Sequence, residues 1–541
     1  MQGRNRRLPV CALCWLLLAG VFNRAAAQVK IAFGPTGLTS VQRGGSEVLR
    51  DGKLRADSVM LESWDGSLAK VETAPLAFTA DQIHQTVTQI YRWGEIKSAY
   101  AGKGDALTIT VTISNHSPFT LRGVSIHLAD LIATLSEKSS AGEMNSGVDA
   151  PGVVAAKCAA SSLALCNESA GRPLYLGFLI ENGEKNHALA QVATFREDRF
   201  PRGWLTTPQI QRPIYPGGAD TFTVSLRFGP PAAAPPSFAP DVFRNFARAY
   251  PARLNWPDRR LIGTLHLATS EYRIPKNPRG WFNGDKTVDV TTEAGLADFK
   301  QRVMKYADDS VAILKAMNAQ GMLVWDLEGE EFPHATTYLG DPRSLPAEIE
   351  PLADEFFKKF TDAGLRVGLC LRPSQPVRSL YGSGAWQMQT DDPAYLLGAK
   401  IEAAKKRWHC SLFYIDSNVN YNPRFTRSDG AGYELSPASI FQQIAAANPD
   451  VLLMPEQKTT RYFAYTAPYS ELRGGFVGTP EAVRAVYPDS FSAIYVPDGD
   501  VDAHRGELVT AAKRGDILLF RAWWNDPYNA KIKSIYDEAK H

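Results

Sequence analysis

The stretch "GMLVWDLEGEEFPH", residues 321–334, passes from an apolar run directly into acidic residues. The apolar part ends at Trp325, and four acids follow it: Asp326, Glu328, Glu330 and Glu331. A strand made only of apolar residues is typical of a parallel sheet that is buried on both faces. In a (β/α)8 barrel, such strands end at the mouth of the active site. The stretch therefore predicts a barrel strand that delivers carboxyl groups to a functional mouth.

The rest of the C-terminal half repeats this pattern. Apolar runs alternate with amphipathic helical segments throughout residues 256–541. The predicted strands are residues 261–268, 322–329, 365–373, 411–418, 451–457, 474–479, 491–500 and 517–526. Eight β/α units in a segment of this length predict a (β/α)8 TIM barrel.

The N-terminal half has a different periodicity. In "LTITVTIS" (107–114) and "TFTVSLRF" (221–228), apolar residues alternate with polar ones, as in strands with one buried face. Residues 28–228 therefore predict a β-sandwich domain, and the whole chain a multidomain β plus α/β protein. Residues 229–255 predict a Pro-rich linker. Five prolines within residues 229–240 argue against a helix or a central strand there.

The first 27 residues predict a secretory signal peptide. Arg4, Arg6 and Arg7 precede the apolar run Leu8–Phe22, and residues 25–27 offer an A-x-A cleavage site. The prediction is a secreted or periplasmic bacterial protein, with an N-terminal anchor as the alternative. No later stretch is long and apolar enough to predict a membrane span.

Charge and cysteine content narrow the class of partner. The net charge of +2 becomes −2 without the first 27 residues, which hold four arginines and no acid. This balance argues against a nucleic-acid partner. An oxidising compartment would permit a Cys158–Cys166 disulfide, which the sequence leaves open, whereas Cys370 and Cys410 predict buried thiols. No Cys/His spacing resembles a zinc site, no cofactor is expected, and the sequence is silent on oligomeric state.

Polar residues gather where the predicted barrel strands end. Carboxylates, amides, arginine and tryptophan together favour a carbohydrate substrate, because they bind hydroxyl groups and the apolar faces of sugar rings. The expected substrate-binding residues are Asp326, Glu328, Arg372, Asn418, Gln457, Asp498, Arg521 and Trp523. Asp416 and Glu456 end neighbouring strands about 4.8 Å apart, so they suit the carboxyl pair of a glycoside hydrolase.

Three segments resemble clan-D glycoside hydrolases, the α-galactosidase and α-glucosidase families. "FYIDSN" (413–418) is similar to their strand-four motif, "VWDLEG" (324–329) to their acidic strand-two end, and residues 353–373 to their helix and third strand. The resemblance implies a β-sandwich before a barrel and hydrolysis of a glycosidic bond. It also implies that Asp416 is the nucleophile and that Asp326 contacts substrate hydroxyls.

The predicted sixth strand departs from this resemblance. Clan-D families carry the acid/base Asp after strand six, but residues 474–479 contain no Asp and only Glu481 follows them. An α-amylase-like trio would be Asp416, Glu456 and Asp498, although Tyr414 replaces the arginine of that family. We therefore predict Glu456 as the acid/base residue.

Two other functions remain open at this point. One is a non-catalytic carbohydrate-binding protein on a degenerate barrel, suggested by the missing strand-six acid. The other is a barrel hydrolase that holds a divalent cation at the acidic end of strand two, near His334.

Overall fold

We describe a computed structural model of the chain. The description covers residues 28–540, apart from 66, 134–151, 158–160, 180–185, 195–211, 268–271, 329–338, 379–384, 391, 422–432, 473–477, 497–500 and 525. The predicted signal peptide, Cys158, Glu330, Glu331, His334 and Asp498 lie outside the described residues.

The N-terminal half forms antiparallel sheets. Its strands are β1 (Val29–Gly34), β2 (Gly37–Arg43), β3 (Ser46–Glu47), β4 (Leu49–Asp51), β5 (Arg55–Glu62), β6 (Leu68–Lys70), β7 (Ala77–Asp81), β8 (Thr86–Tyr91), β9 (Gly94–Lys103), β10 (Ala106–Asn115), β11 (Thr120–Ile132), β12 (Val153–Lys157), β13 (Ser162–Asn167), β14 (Tyr175–Leu179), β15 (His187–Ala193) and β16 (Ala219–Gly229).

Two large sheets face each other in this half. The order of one is β12-β13-β16-β10-β9-β8-β7, and the order of the other is β14-β15-β11-β5-β6. Alternate residues of β10, such as Ile109, Val111 and Ile113, are fully buried in the core between the sheets. The register pairs Ile109 with Val224, so the two predicted amphipathic strands are neighbours. The sandwich expected from the alternation is confirmed.

The segment after the sandwich is helical, which contradicts the sequence-based exclusion of a helix. Helices α1 (Pro235–Phe238) and α2 (Pro240–Ala249) each begin with proline. Proline fits the first turn of a helix, where no backbone donor is needed, and this explains the error.

Helix α2 packs against both halves of the protein. Phe243 belongs to a buried cluster with Cys166 of the sandwich. Phe246 lies in the core of the barrel, and the guanidinium of Arg461 is 5.4 Å from the centre of its ring. The Tyr487 hydroxyl donates a 2.7 Å hydrogen bond to the Tyr250 carbonyl. The Pro-rich segment is thus packed between the sandwich and the barrel.

The C-terminal half contains the predicted barrel. Its strands and helices are β17 (Ile262–His266), α3 (Glu293–Ala316), β18 (Gly321–Trp325), α4 (Glu350–Asp362), β19 (Arg366–Leu371), β20 (Ser374–Arg378), β21 (Ala385–Gln389), α5 (Pro393–Trp408), β22 (Leu412–Ile415), β23 (Val419–Tyr421), β24 (Tyr433–Leu435), α6 (Ala438–Ala447), β25 (Leu452–Pro455), a 3-10 helix (Thr460–Ala464), β26 (Tyr469–Glu471), α7 (Glu481–Arg484), β27 (Ala493–Tyr495), α8 (Arg505–Lys513), β28 (Ile517–Arg521) and α9 (Pro527–Ala539).

Eight parallel strands make the barrel wall, in the order β25-β22-β19-β18-β17-β28-β27-β26. The two ends of this order meet through a 2.9 Å hydrogen bond from Ala467 N to Leu453 O. Alternate strand residues separate into two cores. Leu323, Cys370 and Leu412 fill the interior, while their neighbours in sequence pack against the helices.

The prediction for strand six is wrong in position. The strand is Tyr469–Glu471, and within the predicted segment Gly478 and Thr479 are not in a strand. The observed strand is only three residues long, so it gives little periodic signal. Helix α7 begins at Glu481, whose exposed carboxylate forms an ion pair with Arg514.

The described cysteines, Cys166, Cys370 and Cys410, are buried thiols. The prediction for Cys370 and Cys410 is confirmed. Cys166 is paired with Val153 across β12 and β13 and is not in a disulfide. Within the described residues, no helix is both long and apolar enough to cross a membrane.

Candidate active site

The ends of the barrel strands bring one ring of polar side chains together. Because side chains alternate along a strand, a residue two positions after an interior residue also faces the interior. Interior Cys370, Tyr414, Met454, Tyr469 and Leu519 are therefore followed by Arg372, Asp416, Glu456, Glu471 and Arg521. Sequence analysis named four of these five.

Asp416 is held by an arginine. Its side chain is buried, with 6% of the residue exposed, directly after β22. Arg372 Nε donates a hydrogen bond to Asp416 Oδ2, and Ser417 Oγ lies 3.4 Å from the same oxygen. The contact with Arg372 therefore fixes the orientation of the Asp416 carboxylate.

Glu456 is its neutral counterpart on the next strand. Burial and the charge of Asp416 raise the pKa of Glu456 to about 8, and a side-chain hydrogen bond with Asp416 acts in the same direction. The backbone N–H of Ser417 donates a 2.7 Å hydrogen bond to Glu456 Oε2. Glu456 is therefore protonated at neutral pH beside Asp416, and a protonated carboxyl group can act as a general acid.

Aromatic rings form the floor under this pair. Trp325, Tyr414 and Tyr469 are buried, with ring centres 5.0 Å and 4.8 Å apart in succession. Burial raises the pKa of Tyr414 well above its usual value, and the charges of Glu456 and Asp416 raise it further. This apolar floor explains why Glu456 loses its ordinary acidity.

Asn418 supports the pair rather than facing the mouth. Its Oδ1 accepts a 2.7 Å hydrogen bond from Gln457 N, and its Nδ2 donates one of 3.2 Å to Gln457 O. Both residues are buried. Since the amide of Asn418 is bonded to the main chain next to Glu456, the structure makes it a positioning residue.

Asp326 contacts a histidine that sequence analysis missed. Asp326 Oδ2 lies 3.1 Å from His266 Nδ1, at the ends of the second and first barrel strands. Asp326 has a φ of +61° and Ser417 one of +47°, both in the left-handed region. Such strained backbone outside glycine clusters at functional sites. The signal for His266 was available, because it lies two residues after interior Thr264.

Glu328 lies beyond the second barrel strand and binds main-chain amides. The strand ends at Trp325, and Asp326 has a left-handed φ of +61°. Glu328 accepts hydrogen bonds of 2.6 Å from Leu339 N and 3.2 Å from Gly340 N. Burial raises the pKa of Glu328 to about 7, although the N–H group of Leu339 lowers it. Glu328 therefore holds the main chain at Leu339 and Gly340.

Arg521 and Trp523 lie together after the eighth strand. Arg521 Nε donates a 3.0 Å hydrogen bond to Tyr495 Oη, and its guanidinium is 5.4 Å from the ring centre of Trp523. The rings of Trp523 and His266 are in edge-to-face contact at 5.0 Å. Trp524 is half-exposed. Trp523 and Trp325 therefore both contact His266, the partner of Asp326.

Glu471 was missed because the sixth strand was predicted at the wrong position. It ends β26, and its Oε1 accepts a 3.0 Å hydrogen bond from Tyr469 Oη. The expectation that strand six carries no acid is therefore wrong. Tyr469 and Glu471 in "YSEL" alternate toward the interior, but three residues are too few to predict a strand.

Within the described residues, no three His, Cys, Asp or Glu side chains lie close enough together to hold a metal ion. Of the acidic end of strand two, Asp326 and Glu328 are described, whereas Glu330, Glu331 and His334 lie outside the described residues.

Comparison with known proteins finds a similar fold among solved structures. No protein-family model and no curated protein matches the sequence. Among solved structures, the α-N-acetylgalactosaminidase NagBb from Bifidobacterium bifidum matches with a TM-score of 0.55 and 11% identity, over 95% of this chain and 92% of that one. A sulfoquinovosidase from E. rectale has a TM-score of 0.49 and 9% identity, over 94% and 82%. An α-galactosidase from Lactobacillus brevis has 0.40 and 9%, over 96% and 73%.

The similarity to NagBb covers nearly the whole of both chains. At 11% identity it establishes a shared fold, which combines β sheets with a TIM barrel. The resemblance to clan-D glycoside hydrolases noted in the sequence is thereby confirmed at the level of architecture.

Proposed function

We propose that the protein is a secreted glycoside hydrolase that cleaves α-linked bonds in an oligo- or polysaccharide. The observation that carries the proposal is the contact between arginine-bound Asp416 and protonated Glu456 at the barrel mouth. Glycoside hydrolysis requires one ionised and one protonated carboxyl group. The fold shared with a solved α-N-acetylgalactosaminidase supports the substrate class.

The two carboxyl groups act in sequence. Asp416 attacks the anomeric carbon as the glycosidic C–O bond breaks, and the leaving oxygen takes the proton of Glu456. Glu456, now ionised, removes a proton from water, which releases the sugar from Asp416. The hydrogen-bonded pair is closer than the separation of about 5–5.5 Å in retaining enzymes and much closer than that of about 6.5–9.5 Å in inverting ones, so the retaining course needs the smaller separation on sugar entry. A sugar must break their hydrogen bond when it enters.

Glu471 is a second candidate for the acid. It lies at the end of the sixth strand, at the barrel mouth, and accepts a hydrogen bond from the hydroxyl of Tyr469. Its presence also removes the reason for proposing a degenerate, non-catalytic barrel.

A glycan screen tests the proposed activity. Wild type, Asp416→Asn and the control Asp309→Asn are incubated with α- and β-linked polysaccharides and aryl glycosides, and products are separated by chromatography. Asp309 is an exposed residue on α3 that pairs with Lys305. We expect product from wild type and the control, and a loss of at least about 1,000-fold in Asp416→Asn, which removes the nucleophile. An active Asp416→Asn protein would contradict the proposal.

Secretion has its own test. The proposal rests on the charged and apolar segments of residues 1–27. Expression with the native N-terminus in a bacterium, followed by fractionation and N-terminal sequencing, should give periplasmic or extracellular protein that begins at Gln28. Retention of the first 27 residues would favour the anchor.

A further inference from the structure

Lys400 is a fully buried cation on the helical side of the barrel. It lies on α5 and is 0% exposed. Its ammonium donates three hydrogen bonds to main-chain carbonyls, at 2.6 Å to Leu339, 3.0 Å to Arg372 and 2.8 Å to Ser374. An ammonium has three donors, so its bonding capacity is filled. Burial of a lysine is costly and rare, and it needs compensation of this kind.

The three carbonyls belong to two segments at the barrel mouth. Leu339 lies on the chain that returns from the loop after the second strand, whereas Arg372 and Ser374 follow the third strand. The two segments also contact each other, because Arg372 N donates a 3.2 Å hydrogen bond to Leu339 O. Lys400 therefore links the segments that follow the second and third barrel strands, from the helical side of the barrel.

Glu328 completes the arrangement from the other side. It accepts the N–H groups of Leu339 and Gly340, so the Leu339 peptide lies between a buried carboxyl group and a buried ammonium. Gly340 has a φ of +59°, and a Cβ there would come 1.9 Å from Cys370 O. Only glycine allows this approach to the third strand. The site is built to fix the main chain at one position.

Burial lowers the pKa of Lys400 to about 8, while Asp341 and Glu328 raise it. The ammonium is therefore mostly charged at neutral pH. A neutral amine would have fewer protons to donate than the three carbonyls require.

We infer that Lys400 is a positioning residue that holds the main chain of Arg372 so that its guanidinium reaches Asp416. Arg372 is bonded at both ends, through its carbonyl to Lys400 and through Nε to the nucleophile of the proposed hydrolase. Lys400 therefore reaches Asp416 through Arg372. The kinetic test of this inference rests on the proposed function. The test by crystal structures does not.

The first test is kinetic. Lys400→Met keeps the apolar stem and removes the three donors. Lys405→Met is the matched control, since Lys405 lies on the same helix but pairs at the surface with Asp450. We expect kcat to fall about 10- to 100-fold in Lys400→Met with KM nearly unchanged, because a misplacement of about 1 Å has such an effect. Lys405→Met should retain wild-type kcat.

A double-mutant cycle separates positioning from general destabilisation. If Lys400 acts through Arg372, then adding Lys400→Met to Arg372→Met should cause little further loss of kcat. Additive losses would overturn the inference. A folded, fully active Lys400→Met protein alongside an inactive Asp416→Asn protein would overturn it while leaving the proposed function in place.

The second test needs no substrate. Crystal structures of wild type and Lys400→Met should show the Arg372 Nε to Asp416 Oδ2 contact broken in the variant. An unchanged contact would overturn the inference even if no glycan were cleaved. If Lys400→Met fails to fold, Lys400→Met with Glu328→Gln removes both buried charges together and is used in its place. Failure of both to fold would assign Lys400 a purely structural role.

Discussion

The backbone N–H of Ser417 donates a 2.7 Å hydrogen bond to Glu456 Oε2, so the residue after Asp416 holds the carboxyl group on the next strand. Ser417 makes this contact with a φ of +47°, in the left-handed region that most side chains avoid. The strain is compensated by the hydrogen bond and by the buried surroundings. One short turn thus fixes the relative position of both proposed catalytic groups.

The protonation state of Glu456 should appear in the pH profile. Its pKa is raised to about 8, so the acid is protonated below that pH and loses its proton above it. We expect kcat/KM to fall with a basic limb near pH 8, because a deprotonated Glu456 cannot protonate the leaving oxygen. Initial rates on an alkyl glycoside, whose poor leaving group needs protonation, give this limb between pH 4 and 10.

Glu456→Gln is the control for that assignment. It should lose the basic limb together with most of the activity toward substrates that have a poor leaving group. A basic limb that survives in Glu456→Gln would belong to another residue. The same substitution should make the protein more stable at high pH. A carboxyl group whose folded pKa is raised stabilises the fold at low pH, and this contribution is lost as pH rises.

Asn418 should contribute to both stability and catalysis. Asn418→Ala leaves the buried N–H and C=O of Gln457 without their partner, which costs about 1–3 kcal/mol. Urea unfolding measures the loss. The exposed Asn245→Ala should change the unfolding free energy by less than about 0.5 kcal/mol. A wild-type midpoint for Asn418→Ala would show that the paired amide is not formed.

The substitution Phe246→Ala tests whether the Pro-rich segment is packed between the sandwich and the barrel or is a linker. The side chain is buried in the barrel core and contacts Tyr250, Tyr487 and Arg461. Phe246→Ala should lower the free energy of unfolding by about 3–5 kcal/mol through loss of burial and a residual cavity. The exposed Arg244→Ala, on the same helix, should have little effect. Equal midpoints for the two variants would contradict the packing of Phe246 and favour the Pro-rich linker.

The barrel could be predicted from sequence because its buried strands are apolar and end in polar residues. Asp416, Glu456 and Arg372 were found in this way, since each follows a long apolar run. The sixth strand was misplaced because Tyr469–Glu471 is short and is preceded by an irregular segment. Roles were harder to predict than positions. Whether Glu328 and Asn418 face a substrate or a main-chain amide depends on the loops that return to them, and sequence periodicity carries no information on that point.

The role of Lys400 could not be predicted from the sequence either. On an amphipathic helix, a lysine is expected at the solvated face. Here it reaches three carbonyls beneath the barrel mouth, because α5 packs over the exits of the second and third strands. The carbonyls that make the position favourable are main-chain groups, which leave no mark on the sequence.

The identity of the acid can be decided by comparing Glu456→Gln with Glu471→Gln. A general acid matters most when the leaving group is poor, so its removal lowers the rate on alkyl glycosides far more than on activated aryl glycosides. We expect this pattern for Glu456→Gln, whose carboxyl group is already protonated beside Asp416. Glu471→Gln should instead raise KM by a similar factor for both substrates, because Glu471, bonded to Tyr469, would bind sugar hydroxyls. Rates on a paired alkyl and aryl glycoside, with azide added as a competing nucleophile, measure both effects. If the leaving-group dependence and azide rescue appear in Glu471→Gln and not in Glu456→Gln, the acid lies on the sixth strand, and the hydrogen bond between Glu456 and Asp416 serves to orient the nucleophile.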